Sequence, residues 1–186
     1  MTTVKRLTNL AALLSFALAA SCVKDAPGVR LQPGDSLPEF RTGTLAGQDA
    51  GTATLLGKPS AVILFSTTCP DCHRQLPELE SAWRDLGDIV NVLAVARDET
   101  AKTVSSFWSA SGYTMSVAAP GDRKIYDLFD RNSRSGIPQL YLSDAEGTVL
   151  RVADDSAVLP AAEIILTLTA AAGKPDLPTI NAHRRP

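Results

Sequence analysis

The sequence predicts one α/β domain in which a central mixed β-sheet is flanked by helices. Ala61 to Phe65 is a short apolar run of the kind that forms a buried strand. An amphipathic helical pattern then runs from Pro70 to Leu86, and a second apolar run, Ile89 to Ala96, follows it. Strand, helix and strand in this order make a βαβ unit with two parallel strands. The 186 residues, 45% of them apolar, are enough for one packed domain with short terminal extensions.

Residues 1–21 have the features of an export signal. Two basic residues lie near its start, and Leu10 to Ala20 forms an apolar run that is too short to span a membrane comfortably. Small residues then lead into Cys22, as in the lipobox of bacterial lipoprotein signals, although Ala19 stands where leucine is usual. We therefore expect Cys22 to carry lipid and to anchor the protein in the cell envelope, facing the periplasm or the surface. An ordinary cleaved signal peptide is the alternative.

The chain divides into four segments. After the signal peptide, residues 22–36 contain proline and glycine without apolar periodicity, which is typical of a tether behind a lipidated N-terminus. The domain is expected over residues 37–172, and residues 173–186 are predicted to be a disordered tail. The formal net charge is -2 and becomes more negative once the basic signal is removed. Nucleic acid is therefore not an expected partner.

Turn residues and apolar spacing predict the other elements. In chain order these are short strands at 39–42 and 53–56, helices at 99–111 and 122–130, a hairpin of strands 139–143 and 148–153 around a turn at 144–147, and a last helix at 159–172.

Two cysteines one helical turn apart suggest thiol–disulfide chemistry. Cys69 is placed at the start of the predicted helix, where free backbone N–H groups and the helix dipole favour a thiolate. Pro70 suits the first helical position, which needs no N–H donor. Cys72 is expected to be the more buried, resolving thiol. A protonated His73 would further favour the thiolate, and the carboxylate of Asp71 would oppose it.

The sequence resembles the thioredoxin superfamily, in particular the TlpA/ResA-like exported thiol–disulfide oxidoreductases. The resemblance covers Pro33 to Ala172, and its motifs are Gly34-Asp35-Ser36-Leu37-Pro38-Glu39-Phe40, Phe65 with Cys69-Pro70-Asp71-Cys72, and Gly136-Ile137-Pro138. It implies that Pro138 is a cis-proline facing the active disulfide and that the backbone of Ile137 pairs with a substrate peptide. The implied partners are exported protein thiols or disulfides and an upstream membrane thiol that donates electrons. No cofactor is expected.

Three positions depart from that family pattern. Thr68 replaces the usual tryptophan before the first cysteine, Ile63 replaces a buried acid, and Gln75 replaces a glutamate three residues after the second cysteine. The last two leave no obvious carboxylate to deprotonate Cys72. Resolution is therefore expected to be slow, or to use Asp71 or His73 through solvent.

Two other interpretations use the same cysteines as ligands. Residues 69–73 also match the C-x-x-C-H pattern of covalent c-type haem attachment, with His73 as axial ligand. Met115 lies in a predicted strand and is a poor second ligand, and the alternation of strands and helices argues against a haem domain. A closed zinc site needs four ligands, and beyond these three the chain offers only His183 in the tail. No metal is predicted.

The remaining alternatives keep the fold and change the activity. A peroxiredoxin-like thiol peroxidase shares the fold, and Ser66 matches its hydroxyl position, but Val62 stands where that motif needs proline. A binding lipoprotein without catalysis is also open, since fold does not imply function. The intact pair favours an oxidoreductase. We expect a protein-disulfide reductase rather than an oxidase. The family resemblance implies this direction, and Asp71 favours it because its charge destabilises the thiolate and so makes the dithiol the better reductant.

Overall fold

The computed structural model describes residues 30–132 and 136–173. The predicted signal peptide, Cys22 and the tail beyond residue 173 lie outside these ranges. Within them, no helix is both long enough and apolar enough to cross a membrane.

Seven strands and five α-helices alternate along the described ranges. They are β1 (Arg41–Gly43), β2 (Asp49–Gly51), α1 (Thr52–Leu55), β3 (Ser60–Phe65), α2 (Pro70–Leu86), β4 (Asn91–Ala96), α3 (Ala101–Ser111), β5 (Ser116–Ala118), α4 (Lys124–Phe129), β6 (Gln139–Ser143), β7 (Val149–Ala153) and α5 (Ala161–Ala171).

The central sheet is mixed, as predicted. Its five strands lie in the order β5-β4-β3-β6-β7. Ile63 in the middle of β3 is paired in parallel with Ala94 of β4 and antiparallel with Leu140 of β6. Every residue of β3 is buried, because strands border it on both edges and other elements cover both faces. The predicted βαβ unit is therefore confirmed, and the cysteine motif follows directly after its first strand, β3.

Helix α2 has the predicted bounds. Cys69 is its N-cap residue and Pro70 takes the first helical position. The helix ends at Gly87, whose φ of 52° is a conformation that side chains disfavour. Pro77 is accommodated in the interior of the helix, which packs against α5. These features hold the cysteine pair at the first turn of a well-anchored helix.

Three predicted strands differ from the structure. The strand predicted at 39–42 is found at Arg41–Gly43. The predicted strand at 53–56 is wrong, because these residues belong mainly to α1. The hydroxyl of Thr54 accepts a hydrogen bond from the Gly51 N–H (3.0 Å) and donates one to the Gly51 carbonyl (2.8 Å), which closes a helical turn. The strand predicted from Ile89 begins at Asn91, because residues 87–89 form a turn of 3₁₀ helix.

The packed structure extends N-terminal to Leu37, where the domain was expected to begin. The Leu31 N–H donates to the Phe129 carbonyl (3.0 Å). Further along, the Gly34 N–H donates to the Val149 carbonyl (2.8 Å), and the Val149 N–H donates to the Asp35 carbonyl (2.7 Å). Residues 30–36 therefore lie on the domain, beside the start of the edge strand β7.

Candidate active site

The two cysteines meet the 136–138 loop just beyond the carboxyl end of β3. Cys69 is half-buried, and both cysteines are free thiols. The Cys69 Sγ accepts a hydrogen bond from the Cys72 N–H at 3.3 Å and donates one to the Ile137 carbonyl at 3.2 Å. The structure thus brings the two cysteines together with Ile137, which lies 68 residues from Cys69 in the sequence.

Cys72 has a different environment. Its side chain is fully buried. Burial raises the pKa of its thiol far above the ordinary value, and a hydrogen bond to Cys69 and the charge of Asp71 act in the same direction. A backbone hydrogen bond with Ser66 opposes them. The Cys72 thiol is therefore held in its protonated form, and Cys69 is the more accessible of the two sulfurs.

The two other polar residues of the motif have partners close to the site. The carboxylate of Asp71 forms an ion pair with the Arg74 guanidinium at 2.6 Å, and both side chains are partly exposed. His73 Nε2 lies 2.6 Å from the Thr67 carbonyl; because a carbonyl only accepts, this nitrogen carries the proton. The His73 ring stacks on Phe107 with centroids 5.2 Å apart. His73 is therefore tied to the loop that precedes Cys69.

Glu99 holds the same loop from the other side and was missed in the sequence. One carboxylate oxygen accepts a hydrogen bond from the Thr67 N–H at 2.8 Å, and the other accepts from the Thr67 hydroxyl. Asp98, just before it, has a φ of 59°, an uncommon conformation for a residue with a side chain. No pattern in the sequence indicates Glu99, because it lies in a loop and its partner is 32 residues away.

The loop opposite the cysteines consists of Gly136, Ile137 and Pro138, and we call it the Pro138 loop. Its Ile137–Pro138 peptide bond is cis. Gly136 packs against Asp155 so closely that a Cβ at this position would lie 2.0 Å from the Asp155 Oδ2. The loop is therefore confined between the cysteine motif and Asp155.

Gln75 is engaged with the backbone of another segment. It is 1% exposed, its Nε2 donates to the Leu159 carbonyl at 2.9 Å, and its Oε1 accepts from the Leu159 N–H at 2.7 Å. The side chain thus joins α2 to the residues that lead into α5. This structural function is not visible in the sequence, where Gln75 is notable only as a replacement for glutamate.

The described residues contain no cluster of three or more histidine, cysteine or acidic side chains arranged to hold a metal ion. His183, the fourth candidate in the zinc interpretation, lies outside the described ranges.

The arrangement defines a thioredoxin-fold protein with a pair of cysteines at the first turn of a helix. The chain belongs to the AhpC/TSA family, whose model matches residues 33–152.

Individual relatives agree with this class. The thioredoxin-like protein YneN of Bacillus subtilis is 27% identical over 124 residues, which are 65% of this chain and 71% of YneN. A secreted Mycobacterium tuberculosis disulfide oxidoreductase homologous to E. coli DsbE superposes with a TM-score of 0.61 at 22% identity, covering 71% of this chain and 96% of the other. A thioredoxin family thiol:disulfide interchange protein from Chlorobium tepidum gives 0.64 at 22% identity, covering 78% and 100%. The two structures establish the fold.

Proposed function

We propose that the protein is a thiol–disulfide oxidoreductase that uses Cys69 and Cys72 and acts as a reductase on exported proteins. The contact that carries this proposal is at Cys69. Its sulfur, at the start of α2, accepts from the Cys72 N–H and faces the Ile137 carbonyl, while the second thiol lies buried behind it. Family membership and the similarity to disulfide oxidoreductases support the same class of reaction.

The reaction has two exchange steps. The Cys69 thiolate attacks one sulfur of a substrate disulfide, forming a mixed disulfide and releasing the first substrate thiolate, which takes a proton from solvent. Cys72 then gives up its proton to solvent, directly or through Asp71 or His73, and attacks the Cys69 sulfur. This forms the Cys69–Cys72 disulfide and releases the second substrate thiolate. Two electrons pass to the substrate, and a membrane thiol donor restores the dithiol.

The reductase direction is supported by the groups around Cys72. Burial and the carboxylate of Asp71 both disfavour a thiolate there. Ionisation of a thiol stabilises the reduced, dithiol form of a cysteine pair. A site that disfavours the thiolate loses part of this stabilisation, so its reduction potential is lower. Arg74 moderates this effect, because it neutralises part of the Asp71 charge.

Equilibration of the purified protein with glutathione buffers tests both the activity and its direction. A potential of about -200 mV or lower for the cysteine pair supports a reductase, and one near -120 mV indicates an oxidant. Cys72→Ser should accumulate a mixed disulfide through Cys69. A protein that consumes hydrogen peroxide through Cys69 but leaves peptide disulfides intact is a peroxidase instead. A Soret band that survives denaturation would show haem bound to the motif.

A further inference from the structure

Gln139 is a buried polar residue in an apolar strand, directly after Pro138. It is fully buried at the start of β6, where the next three residues, 140–142, are also fully buried. Burying a primary amide is costly unless each of its polar atoms has a partner. The partners of Gln139 therefore show what the side chain does.

The environment of Gln139 fixes which way its amide points. Its Oε1 accepts from the Tyr141 hydroxyl at 2.7 Å, and its Nε2 lies 2.8 Å from the Asp130 Oδ2 and 3.0 Å from the Tyr126 hydroxyl. The reverse orientation would turn the amide oxygen toward the Asp130 carboxylate. The Asp130 carboxylate and the Tyr126 hydroxyl therefore keep the N–H groups of Gln139 directed away from Tyr141.

The same nitrogen reaches the Pro138 loop. Gln139 Nε2 lies 3.1 Å from the Gly136 carbonyl. The next residue, Ile137, is the one whose carbonyl accepts from the Cys69 thiol. Asp155 blocks movement of the loop on the Gly136 side. The Gln139 amide is thus one peptide unit from the atom that contacts the reactive cysteine.

Arg30 completes the arrangement from the N-terminal segment. Its Nε donates to the fully buried Asp130 at 3.1 Å, and its Nη1 forms an ion pair with Asp154. Without a cation, the buried Asp130 carboxylate would be strongly destabilised. A continuous chain of polar contacts therefore runs from Arg30 through Asp130 and Gln139 to the Pro138 loop.

We propose that Arg30, Asp130 and Gln139 are positioning residues that hold the Pro138 loop ready for a peptide disulfide. The proposal rests on the proposed function. A loop that is already ordered spares a substrate the cost of ordering it, so loosening the loop weakens binding of a peptide. A small disulfide without a peptide backbone uses the same two cysteines but makes no backbone contact with the loop, so its reaction is unaffected.

Two variants test the proposal through this difference. Gln139→Met removes the amide at similar length, and Arg30→Gln removes the cation at the partly exposed end of the network. Because Arg30→Gln takes this ion pair from the buried Asp130 carboxylate, the variants are compared with the parent under conditions where urea unfolding shows them to be folded. Both should raise the KM for insulin disulfides by about fivefold, the effect of one lost hydrogen bond. Rates with 2-hydroxyethyl disulfide should stay within about twofold of the parent.

Arg84→Gln is the matched control, because Arg84 also pairs with a buried carboxylate, Glu80, but at another segment. Arg84→Gln should change neither the KM for insulin disulfides nor the rate with 2-hydroxyethyl disulfide. An unchanged insulin KM in folded Arg30→Gln, or an equal loss with both disulfides, overturns the proposal.

The proposed function fails separately if the parent protein reduces neither disulfide. In that case the Ile137 methyl resonances decide the positioning role. They should shift in Arg30→Gln and not in Arg84→Gln, and unshifted resonances in Arg30→Gln would refute it.

Discussion

Cys69 and Cys72 are three residues apart but have unequal surroundings. Cys69 is half-buried at the helix start, and Cys72 is fully buried with its pKa raised by burial. Sequence reasoning assigned the attacking role to Cys69 from its place at the helix start alone. The burial and hydrogen bonds of the two sulfurs support that assignment on independent grounds.

We predict that iodoacetamide modifies Cys69 and leaves Cys72 unmodified in the reduced protein near neutral pH. Alkylation requires an accessible thiolate, and Cys72 is neither accessible nor ionised. Peptide mass spectrometry after limited labelling gives the site directly, with Cys69→Ser as the control that should remain unlabelled. Faster labelling of Cys72 would reverse the two roles.

Gln75→Glu places a carboxyl group where the related glutamate would lie, and its protonation decides its effect. The neutral acid can donate to the Leu159 carbonyl and accept from the Leu159 N–H, as the amide does. The carboxylate would set an oxygen against that carbonyl. Together with burial, this should raise the pKa of the new group.

The variant should therefore match the parent in stability at acidic pH and lose stability as the pH rises above about 4.3, the ordinary glutamate value, until the raised pKa is passed. Urea unfolding between pH 4 and 8 measures this. If the ionised glutamate serves Cys72 as a base, disulfide reduction should also become faster at the upper end of that range. A pH-independent stability difference would show that the new side chain does not keep the Leu159 contacts.

At the scale of elements, the sequence predicted well the helices and strands that carry a long or continuous apolar pattern. The bounds of α2 and the hairpin strand β6 follow from apolar spacing and turn residues. The strand predicted over the α1 segment was wrong because the Thr54 hydroxyl bonds to the nearby Gly51 backbone, which favours a helical turn over a strand. Glu99 and Gln139 were missed for a different reason. Their function depends on partners that the fold brings near, and a single sequence does not show those pairings.

Glu80 shows how one element fixes another. This nearly buried α2 carboxylate accepts from the backbone N–H groups of Thr114 and Met115, the Thr114 hydroxyl and the Arg84 guanidinium. Burial alone would raise the Glu80 pKa, but these hydrogen bonds outweigh it and lower the pKa. Glu80 therefore joins α2 to the segment that leads into β5.

We predict that Glu80→Gln lowers the free energy of unfolding by about 2 kcal/mol at pH 7, because the amide replaces one charged acceptor with a donor. The Glu80 contribution is present above the ordinary glutamate pKa and is lost as the pH falls through the depressed value. The difference should therefore shrink toward pH 3. Glu163→Gln, which removes an exposed ion pair with Arg151, should cost well under 1 kcal/mol in the same urea titrations. Equal losses for the two variants would contradict the argument.

At the scale of the whole molecule, the predicted mixed α/β architecture is confirmed. It could be predicted because its βαβ centre and its closing hairpin are local features with clear sequence patterns. The packing of residues 30–36 was not foreseen. It uses backbone groups and one arginine rather than an apolar stripe, so the segment looks like a tether in the sequence.

The lipid anchor remains a prediction, since Cys22 lies outside the described residues. We expect Cys22→Ala to abolish membrane association and processing, because the lipid would be attached at this sulfur. Fractionation of cells and the intact mass of the mature protein measure both. Cys69→Ala, which also removes a cysteine, should stay membrane-bound. A soluble mature form of the parent that begins after Cys22 and carries no lipid would exclude the anchor.

The docking of residues 30–36 on the domain also limits the reach of an anchored protein. A tether that ran from Cys22 to Leu37 could extend about 50 Å, at no more than about 3.5 Å per residue. With Arg30 fixed to the domain, Cys22 can lie no more than about 28 Å from Arg30, whatever the conformation between them. A lipidated Cys22 would therefore keep the domain within roughly its own diameter of the bilayer, and its substrates would have to come close to the membrane surface.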